Sequence, residues 1–277
     1  MTTRPRIGRE DLEPVLAAHH GNEALRAAFE GAREPGHFLS VLARYVQFNS
    51  AFGPGLANLA GEIAARQGLF RDPDEPVKIL ADRAAEVGSD FFYAAIDEFD
   101  DRATHWRDTH RTLAQATVKG AARFFGLGPE QLNQVIRINP TTEHSMALVQ
   151  MGYGLGEKLT AERLFGAMGF HVGSEILADR EFLIIDQVLH ENRPDFVAAL
   201  KAMKVEILGE KHDAYYWIHI HTGVEAEHFD AALRGMNSAL RFYAGAEGPA
   251  EVKRFMLAGF ARFAEVQAGF MDALAEA

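Results

Sequence analysis

Residues 213–236 read DAYYWIHIHTGVEAEHFDAALRGM. The segment has no proline and no strict alternation, and it predicts one long helix. Three of the chain's twelve histidines fall within ten of its residues, with two glutamates. Each helical residue turns about 100°. His221, Glu225 and His228 stand at i, i+4 and i+7, so their directions fall within roughly 60° of one another. His219 and Glu227 point elsewhere. Tyr216 or Trp217 above, and Phe229 and Leu233 below, surround that polar face with apolar residues. A charged face turned into a helical core costs several kcal/mol unless it is paired or bound to a cation. The alternative is a solvated face of clustered polar residues.

The same periodicity extends in both directions. HFLSVLARYVQFNSAF, residues 37–52, places Phe38, Val41, Leu42, Tyr45 and Phe48 on one helical stripe. Helices are predicted from Val77 to about Phe99, from Thr109 to Phe125, over 160–170, over 174–189, and from Pro249 to the C-terminus. Prolines 14, 35, 73, 76, 129, 140, 194 and 249 fall at predicted seams, and Pro54 breaks or kinks the first long helix. Little or no sheet is expected; MKVEILGEK, residues 203–211, is the one competing β segment. With no repeat and no Gly/Ser/Pro-rich linker, the expected fold class is all-α, a single helical domain over 1–277. N-terminal helices occupy 1–35 and a C-terminal helix 249–277.

Composition narrows the function. The formal net charge of −11 disfavours nucleic acid and anionic lipid as partners. There is no cysteine, hence no disulfide, thiolate site or cysteine nucleophile. A metal would sit on nitrogen and oxygen ligands. No signal-peptide core and no long apolar run appears, so a cytoplasmic soluble chain is expected. A homodimer is compatible with the sequence.

One helix cannot close a metal site. Facing helices supply the missing ligands in carboxylate-bridged di-metal proteins. Residues 96–115 offer Glu98, His105 and His110, and residues 169–182 offer His171 and Glu175, the latter amid Phe170, Ile176 and Leu177. Glu175 otherwise reads as a partly exposed residue of an amphipathic helix.

Together these segments resemble the haem-oxygenase-like di-iron oxidases and oxygenases, over roughly residues 38–240. The resemblance rests on Glu98 followed by His110, on Glu175 in GFHVGSE, and on His221–Glu225–His228. It implies a haem-oxygenase-like helical bundle in which Glu98, His110, Glu175, His221, Glu225 and His228 hold two Fe(II) ions, with O2 as co-substrate. It further implies oxidation of a small amino acid or aliphatic carboxylate, by C–H abstraction leading to desaturation, C–C cleavage, decarboxylation or ring formation, or by N-oxygenation. Similar ligands hold manganese. In a straight helix His105, seven residues after Glu98, would share its face, so His110 requires a break in FDDRATHWRDT. Asp186 and Glu191 are rival carboxylates to Glu175, with residues 189–213 as an extended connection to the last motif. Arg102, Arg107 and Lys211 lie near the motifs as cations for a substrate carboxylate. Rival readings are a haem-binding or haem-degrading protein on the same fold, with His19 or His20 as axial ligand, and a non-catalytic helical interaction protein. A thiamin-salvage hydrolase fits less well, because its cysteine nucleophile has no counterpart here.

Overall fold

The computed structural model describes residues 5–101, 104, 107–137 and 139–275, with the backbone alone for Val224, Glu225, Ala226 and Ala275. Described residues form α1 (Arg9–Ala18), α2 (Gly21–Gly31), α3 (Pro35–Asn49), α4 (Phe52–Ala64), α5 (Ala84–Phe99) and α6 (His110–Phe124). Then come α7 (Pro129–Val135), α8 (Pro140–Gly152), α9 (Ala161–Asn192), α10 (Pro194–Ala202), β1 (Lys204–Ile207), β2 (Glu210–Asp213), α11 (Tyr216–Phe242) and α12 (Pro249–Ala275). The chain is 74% helical, and the fold is all-α. One hydrophobic core runs from Ile7 to Leu274. Among the described residues no helix is long and apolar enough to cross a membrane.

Several local rules act as expected. Pro35, Pro129, Pro140, Pro194 and Pro249 each open a helix, where the missing N–H costs no intrahelical bond. The long first helix breaks at Ser50–Ala51, which leaves Pro54 in the first turn of α4. Thr109 caps α6 by accepting from the Thr112 amide at 3.0 Å.

Other expectations are corrected. Pro14 lies inside α1 on its exposed side, not at a seam. No α-helix starts at Val77. Antiparallel bridges Phe70–Tyr243 and Arg71–Asp82 hold this stretch as a loop with a single 3-10 turn at Lys78–Leu80, and Ile79 is 85% exposed. The two helices expected at 160–170 and 174–189 are one helix of 32 residues. Gly173 does not stop it, because the missing side chain admits Phe263 of α12. The connection at 189–213 is also more ordered than expected. It contains α10 and an antiparallel hairpin pairing Val205 with His212, so the 203–211 β segment exists as a two-stranded sheet.

Helix α9 occupies the centre, packed chiefly on α11 and α12. Its closest approach is glycine-mediated: a Cβ on Gly169 would sit 1.7 Å from the Met256 carbonyl oxygen, and one on Gly259 would sit 1.8 Å from that of Gly166. Helices α4 and α5 pair with each other, and α5 also packs on α11. The ends of α5 and α6 therefore meet the middles of α9 and α11.

Candidate metal centre

Helix α5 stops at Phe99, before it could continue to residue 105. The chain then turns, with Arg107 in the left-handed region at φ 56° and its guanidinium on Asp100. The hairpin holds this turn in place. Buried His212 of β2 puts Nδ1 3.0 Å from Asp108 Oδ2. The hairpin is itself tied to α6, because Lys119 donates to the Glu206 carbonyl at 2.7 Å and Arg123 to that of Lys204 at 3.2 Å. His110 thus enters as the first residue of α6, with Nδ1 3.3 Å from Glu98 Oε1.

His221 completes a triad. One donor atom from each of Glu98, His110 and His221 lies within 4.8 Å of the other two. The His110 and His221 ring centroids are 4.5 Å apart. Nδ1 of His221 donates to the Trp217 carbonyl at 2.7 Å, which leaves Nε2 as the lone-pair nitrogen. Phe182 stacks on the imidazole at 4.2 Å.

A second group lies alongside. Glu175 Oε2 is 3.5 Å from His228 Nδ1, and His228 Nε2 is 3.1 Å from Asp97 Oδ2. The other Glu175 oxygen is 3.2 Å from His171 Nδ1. His171 in turn lies 3.3 Å from both the Tyr153 hydroxyl and Ser174 Oγ. Burial raises the Tyr153 phenol well above its usual range, and nearby Glu175 adds to the effect. Tyr153 therefore stays protonated.

Both groups line one cavity of about 40 Å³, together with Glu181. The Tyr45 hydroxyl donates to Glu181 at 2.7 Å and the Gln267 amide at 2.6 Å. The described lining carries three glutamates and three histidines (Glu98, Glu175, Glu181, His110, His221 and His228) and no Lys or Arg. Carboxylates gathered away from water need compensating positive charge. Nitrogen and oxygen donors of this kind suit a divalent transition metal, so the residues fit a metal centre.

A larger cavity of about 340 Å³ adjoins the triad, sharing Glu98, His110 and His221. Val46, Pro54, Phe99, Ala114 and Trp217 give it apolar walls, Asn49, Ser50 and Thr109 add neutral polar groups, and Arg111 is the one Lys or Arg among its described lining.

Five of the six residues expected as ligands are thus brought together. Glu225 lies on the described backbone of α11, but its side chain is outside the described residues, as are His105 and Arg102 entirely. Asp186 and Glu191 do not reach the cavity: Asp186 accepts from Tyr215 at 2.7 Å, and Glu191 is an exposed partner of Gln187 and Arg26. Arg107 and Lys211 line neither cavity. His19 and His20 lie at the α1–α2 junction, and His20 pairs with Asp272 at 3.0 Å. Glu181, Asp97 and Arg111 went unread in the sequence, as did Asp101, whose Oδ2 lies 3.9 Å from His110 Nε2. For Glu181 the sequence carried only a weak signal, since it follows the charged pair Asp179–Arg180 and precedes the apolar Phe182–Ile185. No family model and no curated protein matches this chain.

Proposed function

We propose that this chain is a cytoplasmic, non-haem di-iron oxidase or oxygenase on a haem-oxygenase-like helical scaffold, using O2 to oxidise a small amino acid or aliphatic carboxylate. The supporting observation is the cavity whose described lining carries three glutamates and three histidines and no Lys or Arg, adjoining a largely apolar pocket. Glu98, His110 and His221 would hold one ion, and Glu175, His228 and Glu225 the other. Glu98 would bridge. When bound, two ferrous ions supply electrons for O2 reduction and the oxidising power to break an unactivated C–H bond.

The protein's own groups position and shield. Trp217 fixes the His221 tautomer, and Tyr153, Ser174 and His171 hold Glu175 in place. Phe52, Phe182 and Phe263 line the cavity and limit water. The substrate would occupy the larger pocket, with its reacting carbon facing Glu98, His110 and His221.

The test is anaerobic loading with ferrous iron, removal of the excess, metal analysis, and O2 consumption on mixing with buffer. About two irons per chain and rapid O2 uptake are expected; His221→Ala is expected to keep about one iron and to lose the rapid uptake. A chain that binds no iron, or whose bound iron takes up O2 no faster than free iron, refutes the reading.

A further inference from the structure

We infer that Arg111 anchors the anionic group of the substrate, and that the substrate is a short amphiphilic carboxylate whose chain runs from Arg111 towards Glu98, His110 and His221. This rests on the pocket assignment above and adds its specificity residue.

Three observations carry it. First, among the described residues Arg111 is the one Lys or Arg lining a pocket whose other walls are apolar, metal-facing or neutral polar (Asn49, Ser50 and Thr109). Second, its guanidinium is uncommitted. Its hydrogen bond is a long one, Nη1 to the Val46 carbonyl at 3.5 Å, and among the described residues it pairs with no carboxylate. Arg111 is an exposed residue, so the guanidinium is open to a ligand from solvent. Third, Arg111 stands at a junction. A second cavity of about 320 Å³, lined by Leu132, Ile136 and the hairpin tip at Ile207–Leu208, shares Val46 and Arg111 with the first.

The inner pocket ends at the metal-facing triad, and the outer cavity leads in from the hairpin. An anion held at Arg111 can lay its apolar chain along Val46, Ala114 and Trp217 of the inner pocket, towards Glu98, His110 and His221. Guanidinium binds carboxylate through two parallel N–H donors, so it fixes orientation as well as position. Arg111 is also the residue after His110, on the first turn of a capped helix. The anchor and the presumed ligand are thus held on one rigid element. At about 340 Å³ the pocket lies at the small end of ligand sites. The class is a short-chain acid or amino acid, not a long fatty acid.

The test uses the full chain free of metal, so that no ion can bind the probe. Titration calorimetry compares hexanoate with hexan-1-ol. At least tenfold tighter binding of hexanoate is expected for the parent. Arg111→Gln should lose that preference with hexanol binding unchanged, and Arg111→Lys should keep part of it. No preference in the parent, or undiminished preference in Arg111→Gln, overturns the inference. Iron loading of the parent, measured separately, reads the metal centre: hexanoate preference in a chain that takes up no iron would sink the di-iron reading and leave the anchor standing.

Discussion

His110 Nδ1 lies 3.3 Å from Glu98 Oε1, although twelve residues separate the two. On a continuous helix twelve residues would place them about 18 Å apart along the axis. They meet because α5 ends at Phe99 and the chain returns through a turn that His212 pins by way of Asp108.

That return path distinguishes the two candidate histidines. His110→Ala is expected to lose iron bound after anaerobic loading, whereas His105→Ala is expected to retain it. Loss in the second variant alone would assign the ligand to His105.

The two groups around the cavity predict separable ions. His228→Ala and Glu225→Ala should lower iron from about two to about one per chain, leaving the ion on Glu98, His110 and His221. Inductively coupled plasma analysis after desalting reads this directly. Full retention in both variants would return Glu225 and His228 to a purely structural role.

The α9–α12 contact predicts a steep size dependence. Gly169→Ala drives a methyl group into the Met256 carbonyl, a backbone atom that cannot rotate away. A loss of about 3 kcal/mol is expected in urea unfolding. Gly269→Ala, on an exposed face of α12 with nothing near the added carbon, should instead gain about 0.5–1 kcal/mol from helix propensity. Equal effects in the two variants would mean that the helices do not touch at Gly169.

His19 gives the chain an acid-side liability. Burial lowers its imidazole below the usual range, opposed by the side-chain oxygen of Gln267, which favours the protonated ring. The unfolded chain takes up the proton near pH ~6.5, and the folded chain only at lower pH. The unfolded state binds more protons in that interval, so this stability is fully present above pH ~6.5 and is lost as pH falls towards the folded value. His19→Gln should therefore lose less stability than the parent between pH 7.5 and 5. Parallel urea midpoints for the two proteins would contradict it.

The sequence by itself determined the helical class, the helix starts at the prolines, and the shared face of His221, Glu225 and His228. Each follows from local chemistry: a 3.6-residue period, a missing N–H, a fixed turn per residue. It left His105 against His110 open, and Glu175 against Asp186 and Glu191, because each choice depends on where a helix ends or which side of it meets a neighbour. Tertiary structure placed His110 beside Glu98 through a hairpin whose own apolar signal is four residues long. It turned Glu175 and Glu181 inward, and Asp186 and Glu191 outward, on one helix. It also left Arg111 without a carboxylate at the junction of two cavities, a property of empty space between elements that no residue spacing encodes.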